Sequence, residues 1–203
     1  LSECGACSMN EIEDDESLKI GTVGRPLDGV NIVITNEKQE KAPDGEVGEV
    51  CLKGPILFTE YYQQPELTKA AYDRNGYFCT GDLGKYLDNG MLAIVGRKKE
   101  MIIRGGFNVY PAELEEQISL IDGVQSVAVV GLPDKVMGEK IVACIIPSPG
   151  SNITDKDIIA YCKARFANYK VPNVVIIMNE FPVTALGKVQ KFKLVEALEA
   201  KGI

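Results

Sequence analysis

The chain has 203 residues, 45% hydrophobic and 25% charged, with a formal net charge of -7 and no histidine. This is an ordinary globular composition, long enough for one large domain or two small ones with a core that needs no staples. The acidic balance, without a long basic run, argues against nucleic acid or an anionic membrane surface as the main partner, and leaves room only for a local basic patch. Without histidine there is no Ser-His or Cys-His pair and no imidazole metal ligand. Chemistry must rest on Lys, Arg, Asp, Glu, backbone amides or thiols.

Residues 1–20 are polar and acidic and read as an exposed loop. Cys4-Gly5-Ala6-Cys7 is a CxxC, but with no second pair it reads as incidental loop cysteines rather than a zinc or redox site. Gly24, Pro26 and Gly29 are turn chemistry. A strand follows at 30–34, then another at 45–53, entered from a turn at Pro43-Asp44-Gly45. A short helix is expected at 66–72, an aromatic strand at 76–82 and a strand at 91–95. Residues 21–95 thus read as β-rich, a small barrel or twisted sheet. At Gly96-Arg97-Lys98-Lys99-Glu100 the character changes. Pro111 opens a helix, since its missing N–H would be unpaired there anyway; Leu114, Ile118, Leu120 and Ile121 lie near one of its faces. Strands follow at 124–131 and 140–146, and a helix at 155–166 with Thr154 as N-cap. The chain ends with an apolar strand at 173–178, a Pro182–Gly187 loop and a helix at 191–200. The fold class is α+β: a β-rich, barrel-like subdomain over 1–96, then a small α+β domain over 97–203. Cys51, Cys79, Cys144 and Cys162 sit singly in apolar or semi-apolar runs, as buried free thiols do. With no signal peptide and no membrane-spanning run, the expected location is cytoplasmic. The chain starts at Leu1 rather than Met and reads as an excised or truncated piece.

Four motifs occur in order: Thr80-Gly81-Asp82; Gly96-Arg97-Lys98-Lys99; Gly105-Gly106-Phe107-Asn108-Val109-Tyr110-Pro111 continuing to Glu115; and Gly187-Lys188-Val189-Gln190-Lys191. Together they resemble the adenylate-forming superfamily, which includes acyl-CoA synthetases, peptide-synthetase adenylation domains and firefly luciferase. The stretch from Gly96 to Ile103, with Asn108-Val109-Tyr110-Pro111, is most similar to medium- and long-chain acyl-CoA ligases. The resemblance runs from Ser2-Glu3 to the last helix.

The resemblance implies roles that the residue types can bear. Asp82 follows a strand and a glycine; a fixed carboxylate can accept two hydrogen bonds from vicinal ribose hydroxyls. Alone it would read as a turn-capping Asp. Arg97 offers a planar fork for nucleotide oxygens, though beside Lys98 and Lys99 it would otherwise be a solvated charge. Lys99 matches a hinge position, where backbone freedom matters more than charge. Gly105-Gly106 would be a tight turn on its own, and in the family lines the CoA pantetheine tunnel. Lys188 would be a surface lysine by itself; the resemblance makes it the catalytic lysine that stabilises charge as a carboxylate attacks the α-phosphate of ATP. Glu3 would contribute to Mg²⁺ binding. Residues 1–96 would be the β-rich last part of a large AMP-binding region, and 97–203 the mobile C-terminal domain.

The implied function is the C-terminal portion of an ATP-dependent acyl-CoA synthetase using ATP, Mg²⁺, CoA and a carboxylic acid. The alternatives are part of a peptide-synthetase adenylation domain or a non-catalytic remnant. The family's Pro-Lys-Gly phosphate loop is absent from these 203 residues, so the isolated chain is expected to be inactive. Three positions depart from the pattern: Leu186 replaces a usual Thr or Ser, Glu60 a usual Gly, and Cys79 a residue often basic.

Overall fold

The computed structural model describes residues 1–203. They fold as two units, Leu1–Lys99 and Glu100–Ile203. The first unit opens with β1 (Ser8–Met9), a single helical turn α1 (Glu16–Lys19) and β2 (Arg25–Pro26), with β1 and β2 antiparallel. Its main sheet is an antiparallel meander of β3 (Asn31–Thr35), β4 (Gly48–Lys53), β5 (Phe78–Tyr86) and β6 (Leu92–Arg97), with α2 (Pro65–Ala70) between β4 and β5. The sheet is open, with β3 and β6 at its edges. Of the two forms the sequence allowed, a barrel or a sheet, the open sheet is the one found.

Side chains alternate along β3, so Ile32 and Ile34 enter the core while Asn31 faces solvent. They pack with Val50, Leu52, Phe78 and Leu92. Phe58 and Tyr72 lie 5.5 and 5.7 Å from the Phe78 ring, both edge-on, an arrangement that suits the ring quadrupoles. The N-terminal segment is largely exposed, as expected of residues 1–20, but it is anchored at particular points. Cys4 is only 2% exposed within this core, Asp14 pairs with Arg25 at 3.0 Å, and the Glu11 amide holds the Asp14 carboxyl below its ordinary range.

The second unit follows a 3₁₀ turn at Lys98–Glu100. Its sheet contains β7 (Ile102–Arg104), β8 (Phe107–Val109), β9 (Val124–Asp134), β10 (Gly138–Pro147) and β11 (Val174–Ile177). The order is β11-β10-β7-β8, with β9 also paired to β10. β9 and β10 form a long antiparallel hairpin, and β11 joins β10 in parallel after α4, as a crossover requires. Residues 141–145 are fully buried as one continuous apolar run, because both faces of the sheet are covered. On one face, Val129, Ile141, Ala143 and Ile145 pack on Leu114 and Ile118 of α3 (Pro111–Ser119) and Ile158 and Cys162 of α4 (Asp155–Arg165). On the other, Val130, Leu132, Val142 and Cys144 pack on Leu194 and Leu198 of α5 (Lys191–Ala200). Thr154 caps α4 as expected: its hydroxyl accepts the Asp157 amide while the Asp157 carboxylate accepts the Thr154 amide. Leu120 does not share the α3 face; it is the C-cap residue and is exposed. No helix is long and apolar enough to cross a membrane.

Candidate functional site

Asp82 and Arg97 are opposite each other in the β5–β6 register. Arg97 Nε lies 2.7 Å from Asp82 Oδ1, and the side chains are 20% and 43% exposed for Asp82 and Arg97 respectively. The turn into this position is tied locally. Thr80 Oγ1 donates to the Val50 carbonyl and accepts the Asp82 amide at 3.0 Å. The Gly81 amide donates to Glu49 Oε1 at 3.2 Å. Glu49 Oε2 receives Lys98 Nζ at 2.6 Å, and that bond raises the Lys98 pKa above its ordinary value. One carboxylate thus fixes both the Thr-Gly-Asp turn and the first residue after β6. Nothing in the alternating 45–53 segment singled Glu49 out, since an outward polar residue is what such a strand carries anyway.

Glu3 accepts the Tyr61 hydroxyl at 3.0 Å, and its backbone carbonyl accepts the Phe58 amide. Burial, and then the Glu3 bond, raise the Tyr61 pKa. Glu60, which replaces a usual glycine, is not in the left-handed region; Gln63 is, at φ 54°. Glu60 therefore needs no left-handed backbone that would favour glycine there. A cleft of 630 Å³ in this unit is lined by residues including Ile32, Ala42, Tyr86 and Asp88 and contains none of the expected site residues. Shape alone does not mark the chemistry here.

In the second unit, Gly105 and Gly106 are the two central residues of the β7–β8 hairpin, with Arg104 opposite Phe107. Their φ values of 58° and 82° fit a two-residue turn that requires left-handed backbone at both positions. A Cβ on Gly105 would lie 2.5 Å from Met137 Cε, whereas one on Gly106 would meet nothing within 4 Å. Arg104 Nη1 bonds the carbonyls of Tyr169 and Val171, both at 2.9 Å, and Phe107 stacks on Tyr169 at 4.6 Å. Lys99 is exposed in the 3₁₀ turn at the junction of the two units.

Lys188 sits in a small hairpin between β11 and α5. The Thr184 amide donates to the Lys188 carbonyl at 2.8 Å, and the Lys188 amide to Thr184 Oγ1 at 3.2 Å. Gly187 takes φ 80° in the turn. The backbone is therefore held while the Lys188 side chain is exposed and in no ion pair. Leu186 at the tip is 97% exposed and packs on nothing, so its departure from a hydroxyl residue leaves the hairpin intact. Lys191, three residues on, contrasts with Lys188. Its Nζ lies 2.7 Å from Glu100 and 2.8 Å from Glu115, and its side chain is only 19% exposed. Glu115 also accepts the Val129 amide. By charge and neighbours alone Lys188 and Lys191 look alike; in the fold Lys191 is ion-paired and Lys188 is not.

The AMP-binding enzyme model matches residues 1–62, and the AMP-binding enzyme C-terminal domain model matches residues 113–188. The chain belongs to the AMP-binding, adenylate-forming family. It is 41% identical over 197 residues to the long-chain-fatty-acid–CoA ligase FadD13 of Mycobacterium tuberculosis, covering 97% of this chain and 38% of that protein. It is 39% identical over 188 residues to the mitochondrial medium-chain acyl-CoA ligase ACSF2 of Homo sapiens, covering 92% of this chain and 31% of that one. Among solved structures, ATP-bound MatB from Rhodopseudomonas palustris is similar with a TM-score of 0.86 and 36% identity, covering 94% of this chain and 38% of that one. The chain spans about a third of the length of the curated relatives it matches.

Proposed function

We propose that this chain is the C-terminal portion of an ATP-dependent acyl-CoA synthetase. The parent enzyme would join a carboxylate to AMP, release pyrophosphate, and pass the acyl group to the thiol of CoA. The observation that carries this reading is the contrast between the lysines around the last hairpin. Lys191 is consumed by two carboxylates, whereas Lys188 stands exposed on a braced turn at the position the family motif assigns to catalysis. Acyl-CoA ligase relatives at about 40% identity support the same class.

Lys188 then acts as an electrostatic catalyst: its ammonium stabilises negative charge that develops on the α-phosphate oxygens during attack. Asp82, held by the Thr80 turn and by Arg97, accepts the ribose hydroxyls. Arg97 supplies a second contact to the nucleotide. Gly105 and Gly106 form a bare hairpin tip past which a thin pantetheine arm can run, and Lys99 is the hinge between the two half-reactions. Glu3 fits one oxygen ligand of Mg²⁺, because its partner Tyr61 is a neutral hydroxyl that leaves the carboxylate charge uncompensated. Bound there with ATP, the ion would neutralise phosphate charge. Six unpaired cysteines favour a reducing compartment such as the cytoplasm.

The test is made on the full-length enzyme. Lys188→Ala should lower pyrophosphate release by on the order of a thousandfold, the usual effect of one lost transition-state donor. It should largely spare thioester formation from a supplied acyl-adenylate. Equal loss of both half-reactions would rule out an adenylation-specific role for Lys188. The 203-residue chain alone should be silent in both.

A further inference from the structure

Two thiols to which the proposed nucleotide, magnesium and CoA contacts assign no role face each other on β4 and β5. Cys51 and Cys79 are directly opposite in the antiparallel register, both are free, and their sulfurs are 3.3 Å apart. Opposed antiparallel residues have Cα atoms about 4.5 or 5.5 Å apart, inside the range of about 4.4–6.8 Å that a disulfide spans. The sulfurs need approach by only about 1 Å to bond, a side-chain adjustment that leaves the backbone in place. Cys51 is fully buried and touches Thr35 Oγ1 at 3.3 Å, while Cys79 is part-exposed and reachable. Glu49 is near enough to complete a three-ligand cluster, with all ligand atoms within 4.8 Å. Its carboxylate, however, already accepts from Lys98 and the Gly81 amide. The two sulfurs are the chemistry that remains available.

We propose that Cys51 and Cys79 are a vicinal-dithiol modification site that reacts with a low-molecular-weight disulfide and closes to an intrachain disulfide. The Cys79 thiolate attacks one sulfur of the reagent, forming a mixed disulfide and expelling one thiolate. Cys51 then loses its proton and attacks Cys79 Sγ, expelling the second thiolate. Two protein thiols are oxidised, one reagent disulfide is reduced to two thiols, and the two protons pass to the leaving groups. Exposure sets the order of attack. Burial raises the pKa of both thiols, Cys51 the more strongly, so the reaction quickens as pH rises. The cross-link would join β4 to β5 directly before the Thr80-Gly81-Asp82 turn. It does not depend on what that turn binds.

The 203-residue chain is treated with oxidised glutathione at mildly alkaline pH, free thiols are blocked, and the unreduced digest is mapped by mass. The expected product is a Cys51–Cys79 cross-linked peptide pair, lighter by two hydrogens than the separate peptides. Cys51→Ala should accumulate glutathione on Cys79, and Cys79→Ser should slow oxidation of Cys51 at least about tenfold. Recovery of Cys51 and Cys79 as separately blocked thiols in the unsubstituted chain, whether or not Cys4 and Cys7 oxidise, would overturn the proposal. That mapping stands without either variant.

Discussion

The two units handle their exposed charges differently. In the first, the cations around the Thr-Gly-Asp turn are matched to carboxylates: Arg97 on Asp82 and Lys98 on Glu49. In the second, Lys188 projects unpaired from a braced hairpin, while the neighbouring Lys191 is pinned by Glu100 and Glu115. Their cores differ in the same sense. The first unit's main sheet is an open four-stranded meander with most of its buried apolar residues in one cluster. The second is a sheet covered by α3 and α4 on one face and α5 on the other.

The comparison can be broken in several ways, beginning with the largest effect. If the division between presented and structural lysines is right, Lys188→Ala should cost on the order of a thousandfold in adenylation by the full-length enzyme and leave the melting temperature unchanged. Leu198→Ala tests the second covered face. Leu198 is 1% exposed against β9 and β10, so the variant should lose about 2–5 kcal/mol in chemical denaturation.

The buried thiols of the second unit give a pH test. Burial raises both Cys144 and Cys162 from an ordinary 9.0 to about 11. A raised thiol pKa favours the neutral form in the fold, so the full contribution is present below pH 9.0 and is lost as pH rises towards 11. Each thiol should account for about 2–3 kcal/mol of that loss. The stability difference between the unsubstituted chain and Cys144→Ala, measured across the window, should shrink accordingly; a constant difference would argue against a buried neutral thiol. The smallest effect is Lys191→Ala, expected to destabilise the second unit by about 1–2 kcal/mol, since the ion pairs are only partly screened. A Lys191→Ala variant as stable as the parent would erase the distinction from Lys188 on the stability side.

Much of the architecture was legible because local signals agreed. Pro111 starts α3, Thr154 caps α4 through a reciprocal pair with Asp157, and the 141–145 run is a strand buried on both faces. The β7–β8 hairpin was visible only as a glycine pair after Ile102-Ile103, too short to show a period. In residues 1–20 the exposed reading holds except at Cys4, a small apolar side chain among charges that is core.

The sequence by itself determined the α+β class, the order of the longer strands and helices, and the family through four short motifs spaced along the chain. Those are properties of local pattern and order, which need no partner to be read. Only the tertiary structure decided that the first sheet is open, that Glu49 braces the Thr80-Gly81-Asp82 turn, that Lys191 is neutralised while Lys188 is not, and that Cys51 meets Cys79. Each of these depends on side chains many positions apart in the chain being brought within a few ångströms, and strand register and packing, rather than composition, set which ones meet.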